Sequence, residues 1–305
     1  MCGEWAGAAS VTVAKAMKLR QDSRSSVLTR AGWANPPMSS LVEVQSVSKT
    51  YVQKAQGHKP SRPFKALDGV SFSMTRPERI GLIGPSGSGK STLLRSLSGL
   101  IVAEVGHVKV LDKTVQSAGR LGEDVREARA TMGMIAQQFN LVGRLSLFTN
   151  AALGLLGRIN PWRGFFGLWN ADEKQRVMAA LDHVGIAERA GQRANTLSGG
   201  QQQRGAIARA IVQDAKLILA DEPVASLDPV SARRVMELLV EVNERQKVGV
   251  IVTLHQVDYA RKYCDRILAL KAGKIVYDGP ANALGLEQLK DIYGSEIESA
   301  YWGEI

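Results

Sequence analysis

Gly84-Pro85-Ser86-Gly87-Ser88-Gly89-Lys90-Ser91 combines a glycine-rich backbone, one ammonium and one hydroxyl in the order that cradles phosphate. The glycines leave backbone N–H groups bare for phosphate oxygens, Lys90 can face the β and γ phosphates, and the Ser91 hydroxyl suits Mg²⁺, with Thr92 next in the same turn. Asp221-Glu222 set two carboxylates side by side after the apolar run Lys216–Ala220. Neighbours on a strand point oppositely, so one carboxylate can support Mg²⁺ while the other addresses an attacking water. Leu197-Ser198-Gly199-Gly200-Gln201 places a capping hydroxyl and two bare glycines at the start of a helical pattern, a second N-terminus able to accept a phosphate. His255 ends another apolar run, Gly249–Leu254, where it is placed to contact a γ-phosphate. Together these groups predict binding and hydrolysis of ATP.

The elements needed to position them are legible. Arg79–Ile83 reads as a short buried strand, and Ser91–Leu97 as a helix with apolar residues at helical spacing, so the phosphates would meet a helix N-terminus. A glycine-rich turn that binds nothing would not need this strand and helix around it. Leu41–Val47, Val70–Met74 and Val108–Val110 read as pieces of a β-rich lobe, and Thr131–Ala136 as a buried strand ending at Gln137. From 139 to 196 the pattern turns helical, as in Asp172–Val184, where Val177, Leu181 and Val184 recur at helical spacing. Within that stretch, Trp162, Phe165, Phe166 and Trp169 crowd together. Such clusters usually pack a small core, and the sharper reading is an exposed docking patch.

At 305 residues the chain is long enough for one large domain with a modest insertion. No apolar run approaches the roughly 20 residues that span a bilayer. Cys2 and Cys264 lie far apart without a metal-ligand set, which suits a reducing compartment and a small buried thiol at Cys264. The net charge of +10 would draw polyanions, yet the positives are spread without a dense basic block, and no nucleic-acid partner is expected. Residues 1–37 are rich in Ala and Ser, carry Lys15, Lys18, Arg20, Arg24 and Arg30 against Glu4 and Asp22, and close on Asn35-Pro36-Pro37. They read as a disordered basic tail, or as residues ahead of a true start at Met38.

These motifs, in this order, resemble the nucleotide-binding subunit of ABC transporters. The resemblance spans about residues 41–280 and implies an α/β fold: a P-loop NTPase cassette with a β-rich subdomain and an inserted α-helical subdomain. It implies an ATPase domain over 38–290, a helical insertion near 139–196 and a C-terminal tail over 291–305. On this resemblance Tyr51 stacks on adenine, Gly84–Ser91 with Thr92 is Walker A, and Gln137 is the Q-loop residue touching Mg²⁺. Ser198–Gln201 is the signature, Asp221 and Glu222 are Walker B with the catalytic carboxylate, Asp228 belongs to the D-loop, and His255 is the switch histidine. ATP and Mg²⁺ are the implied cofactors. Two cassettes are expected to pair head to tail, each ATP lying between Walker A of one and the signature of the other.

Finer features are similar to the phosphonate importer ATPases: Gln137–Val142 with Arg144-Leu145-Ser146, the Trp162–Trp169 run, Gln201–Gln203, Ala225–Pro229, Leu254–Ala260 and Tyr277-Asp278-Gly279. This similarity implies a subunit held peripherally at the cytoplasmic face of the inner membrane by polytopic permease subunits. A periplasmic or extracellular phosphonate-binding protein would deliver substrate. Two alternatives stand beside it, an ATPase scaffolding a soluble phosphonate-degrading complex and an importer of another oxyanion.

Overall fold

Short apolar runs separated by helices dictate a parallel sheet, because a parallel neighbour is reached only through a crossover. A computed structural model of the protein describes residues 40–53, 62–136 and 141–294. Its strands are β1 (Val42–Gln53), β2 (Arg62–Met74), β3 (Arg79–Ile83), β4 (Val105–Val110), β5 (Lys113–Ser117), β6 (Arg120–Leu121), β7 (Met132–Ile135), β8 (Leu217–Ala220), β9 (Gly249–Thr253), β10 (Arg266–Lys271) and β11 (Lys274–Pro280). The helices are α1 (Lys90–Leu97), α2 (Val125–Ala130), α3 (Leu147–Ala152), α4 (Pro161–Phe165), α5 (Ala171–His183), α6 (Gly199–Val212), α7 (Pro229–Gln246), α8 (Val257–Tyr263) and α9 (Leu286–Tyr293).

Two sheets result. An antiparallel sheet runs β2-β1-β4-β5-β6, and a larger one runs β11-β10-β3-β9-β8-β7, parallel from β10 to β7 with β11 as an antiparallel edge. The sheet alternation sorts side chains into two cores. Leu217 and Leu219 of β8 and Ile251 of β9 face Leu93, Leu94 and Leu97 of α1 and the inner side of the antiparallel sheet. Ile218 and Ala220 of β8, with Val250 and Val252 of β9, face the helices on the opposite side. The β10–β11 hairpin and α9 carried no signal strong enough to be read from sequence, and α9 runs through position 290 to Tyr293, with Ile292 and Tyr293 buried. Residues 1–39 and 295–305, where most of the two expected tails fall, lie outside the described residues.

Between 141 and 196 the described residues form helices α3, α4 and α5, with α5 opened by a capping box between Asn170 and Glu173. The aromatic run within it is divided. Trp169 packs against the helical-side core, whereas Trp162 is 71% and Phe165 80% exposed. Both aromatics of the short helix α4 stay outside the core, and the packed one, Trp169, follows that helix. Cys264 is buried as anticipated, and burial pushes its thiol up to about 12.

Where the chain enters α3, fully buried Asn150 organises the preceding turn. Its Oδ1 accepts from Val142 N at 2.7 Å, and its Nδ2 donates to Val142 O at 3.1 Å and Ser146 O at 3.0 Å. Replacing it takes the acceptor from Val142 N and one donor each from the Val142 and Ser146 carbonyls, which keep the N–H groups of Leu145 and Asn150. Asn150→Ala is expected to lower unfolding stability by about 2 kcal/mol, measured by urea denaturation. An unchanged midpoint would mean that the turn holds without this side chain.

Candidate active site

Three adjacent parallel strands end at one edge, and their last residues supply the site. β3 runs into the phosphate loop, β9 ends on Thr253 two residues before His255, and β8 leads directly into Asp221 and Glu222. Ligand chemistry concentrates at this carboxyl edge of open α/β sheets.

The loop from Gly84 to Gly89 depends on backbone shapes that side chains resist. Gly84 has φ +142°, and a Cβ there would overlap the Leu270 carbonyl oxygen; Gly89 has φ +108°, and a Cβ there would overlap that of Ala66. Glycine alone accommodates both demands. The loop delivers the chain into α1, whose first residue, Lys90, is buried. Its ammonium folds back over the loop, donating to Gly84 O at 2.7 Å and Pro85 O at 3.0 Å. Burial holds the Lys90 pKa below its ordinary value, while the charges of Glu222 and Asp221 act against that shift.

Asp221 is 2% exposed, and its carboxylate is the meeting point of the edge. Oδ1 accepts from Ser91 Oγ at 2.9 Å and from Thr253 Oγ1 at 3.1 Å, and Oδ2 lies 3.3 Å from Arg95 Nη2. Such a buried carboxylate is tolerated because donors and a cation surround it. Glu222 turns the other way. Its backbone adopts φ +49°, a left-handed shape costing a non-glycine residue about 1 kcal/mol, and its N–H donates to Thr253 Oγ1 at 2.7 Å. Glu222 Oε1 lies 2.7 Å from His255 Nε2, a contact that needs the ring proton on Nε2. That hydrogen bond, aided by His255, Lys90 and Arg95 charge and opposed by partial burial, holds the Glu222 carboxyl below the usual carboxylate range.

Ser198 and Asp228 belong to a second cluster. Ser198 caps α6 in a reciprocal box with Gln201, and Asp228 Oδ1 caps α7 by accepting from Val230 N at 3.1 Å and Ser231 N at 2.9 Å. The two helix starts touch, since a Cβ on Gly200 would sit 2.8 Å from Ser231 Cβ. Gly199 and Gly200 therefore permit a close helix contact as well as a bare N-terminus. Tyr51 lies on β1 opposite Phe64, 38% exposed, with Lys49 Nζ 5.5 Å from its ring centroid. Gln137 lies outside the described residues.

Sequence reasoning missed Thr253 and Arg95. Thr253 is the one polar side chain in β9, at the strand's carboxyl end, and that placement was the available signal. Arg95 sits in the last turn of an ordinary amphipathic helix and carried none.

The ABC transporter family profile matches residues 67–225. The chain is 56% identical over 264 residues to the phosphonates import ATP-binding protein PhnC of Caulobacter vibrioides, covering 86% of this chain and 96% of that protein. It is 52% identical over 266 residues to the phosphonates import ATP-binding protein PhnC 2 of Pseudomonas syringae pv. syringae, covering 86% and 92%. Among solved structures, a dimeric ATP-binding cassette in a post-hydrolysis state bound to ADP and Pi aligns with TM-score 0.67 and 30% identity, over 80% of this chain and all of that one.

Thr253→Val keeps the shape of β9 and removes the hydroxyl that joins Asp221 to the Glu222 backbone. Hydrolysis is expected to fall about 5- to 100-fold through a misplaced Glu222, with ATP affinity within about twofold of wild type, in paired turnover and binding assays. Equal turnover would show that the bridge does not position Glu222. His255→Ala should raise the Glu222 pKa. Its carboxylate then protonates at higher pH as acid is added, which a carboxyl-carbon NMR titration reads directly; an unmoved midpoint would assign the low value to other groups.

Proposed function

The chain belongs to the ABC transporter family, and from that premise we propose that it is the ATP-hydrolysing subunit of an importer that takes up phosphonates. The observation that carries the catalytic part is the convergence of Lys90, Asp221 and the Glu222–His255 pair at one strand edge beside the phosphate loop. The importer assignment and the phosphonate substrate are supported by relatives named phosphonates import ATP-binding proteins, matched over nearly their whole length.

In this reading the N–H groups between Gly87 and Ser91 and the start of α1 take the phosphates. Lys90 exchanges the carbonyls of Gly84 and Pro85 for the β and γ phosphate oxygens, an anionic setting that restores its preference for the charged form. Glu222 accepts the proton of the attacking water, and His255 orients that carboxylate and reaches the γ-phosphate. Tyr51 offers an aromatic face to the base. Ser91 and Asp221 fit Mg²⁺, since both present hard oxygen donors, held 2.9 Å apart. When bound, the ion neutralises charge on the phosphate oxygens. Gln137 is proposed as a further contact to it.

Ser198–Gln201 and Asp228 complete the site from a second copy of the chain, so that ATP bridges two cassettes head to tail. The bare N-terminus of α6 is suited to a γ-phosphate. Dimerisation is supported by two dimeric cassettes of similar fold, the second described as a bacterial ABC transporter cassette at 30% identity and TM-score 0.67. Hydrolysis removes the linking phosphate and weakens the closed pair, a shift driven by differential binding. Among the described residues no helix is long and apolar enough to cross a membrane. The proposed attachment is therefore peripheral, to polytopic permease subunits at the cytoplasmic face, with a phosphonate-binding protein acting from the other side.

Reconstitution with the permease tests the assignment. ATP turnover should rise when a phosphonate-loaded binding protein is added, and no stimulation by any phosphonate would remove the importer reading in favour of a soluble scaffold or another oxyanion. Glu222→Gln should lower turnover about 100-fold or more while an ATP-dependent dimer accumulates on size exclusion. Normal turnover would hand the water to another residue.

A further inference from the structure

The phosphate loop is held in shape from the far end of the chain. Ile83 is the last residue of β3 paired with β10, opposite Ala269, so the next N–H, that of Gly84, lies just beyond the ladder and is buried. A buried N–H beyond the ladder needs another acceptor. Tyr293, the last residue of α9, supplies it: its hydroxyl oxygen accepts from Gly84 N at 3.1 Å across 209 positions of sequence. The phenol is itself buried, and burial pushes its pKa up to about 12, so the hydroxyl is neutral near neutral pH.

The surroundings fix that hydroxyl in place. Leu289 and Ile292 anchor α9 in the core, and Lys271 Nζ, at the end of β10 beside the β10–β11 turn, donates to the Asp291 carbonyl. The β10–β11 turn grips the other end of the loop, where Gly273 N donates to Ser88 O at 3.0 Å while Gly273 O accepts from Asp68 N at 2.9 Å. The Leu270 carbonyl packs where a Gly84 side chain would be. Both ends of the loop thus rest on groups from residues 270 to 293.

We propose that Tyr293 is a positioning residue for nucleotide binding: its hydroxyl fixes the Gly84 N–H and thereby pre-forms the phosphate loop before ATP arrives. Without it the buried N–H is unsatisfied, and loop conformers that turn this group toward water gain population. ATP affinity then falls with the fraction of chains holding the built loop. The role rests on the reading of Gly84–Ser91 as the ATP phosphate site and goes beyond it by assigning a function to the C-terminal helix.

The test compares Tyr293→Phe with Ile292→Ala in the full chain. Tyr293→Phe keeps the ring and removes only the acceptor. It is expected to weaken ATP binding, measured by calorimetry in a turnover-free background, about 5-fold, with hydrogen exchange at the Gly84 amide accelerated and the melting temperature little changed. Ile292→Ala loosens the same helix through the core; it should lower the melting temperature more, yet leave ATP affinity within about twofold. Unchanged affinity in Tyr293→Phe would overturn the proposal, as would an equal loss in both variants, which would reduce Tyr293 to general stability. Failure of the wild-type chain to bind ATP would instead remove the phosphate-site reading itself.

Discussion

One buried carboxylate ties the site to the fold. Asp221 sits at the end of β8 with its charge almost sealed from water, a placement tolerable only because Ser91 and Thr253 donate to it and Arg95 stands beside it. Those donors come from α1 and β9, elements far apart in sequence. Satisfying Asp221 therefore requires that β8, β9 and the phosphate-loop helix be assembled in register. The same requirement delivers Glu222 and His255 to each other, since Thr253 holds the Glu222 backbone while His255 follows Thr253 by two residues. Folding the sheet and building the site are one event.

The charges at this edge form a closed set. The carboxylates of Glu222 and Asp221 oppose the burial shift of Lys90, His255 with Lys90 and Arg95 lowers Glu222, and Arg95 pairs with Asp221. Lys90 donates to two loop carbonyls, so its desolvated ammonium has partners. An incoming triphosphate with its counterion would redistribute existing contacts, and little new ordering is needed. Preorganisation of this kind extends to the loop backbone, which the β10–β11 turn and Tyr293 hold at either end.

The second cluster has a different character. Ser198 and Asp228 cap two helices whose starts touch at Gly200 and Ser231, and their own hydrogen bonds are met locally. A helix N-terminus capped in this way keeps a partial positive charge pointing outward. In the proposed dimer that charge addresses a phosphate held by the partner, which explains why the phosphate loop and the signature need not converge within one chain. The exposed Trp162 and Phe165 lie on α4, apart from these two helix starts in sequence.

The loop glycines, Lys90, Ser91, the Asp221-Glu222 pair, the Ser198 cap and the apolar strands ahead of them were all legible in sequence, because each is a local signal: a backbone conformation, a cap, or a run of buried residues ending in a polar one. A β-rich lobe and a helical stretch were read from pattern, while the α/β cassette architecture followed from the resemblance these motifs carry. Thr253, Arg95 and Tyr293 were not legible as site residues. A threonine in a strand, an arginine on a helix and a tyrosine near a terminus are ordinary by themselves, and what they do depends on which distant group they meet. The β10–β11 hairpin and α9 escaped for the same reason, as their importance lies in bracing a loop some 200 residues earlier. Composition and spacing determined which chemistry this chain carries; only tertiary packing decided which hydroxyls, ammonium groups and N–H donors complete it, because a buried polar group takes its partner from whatever the fold brings within about 3 Å.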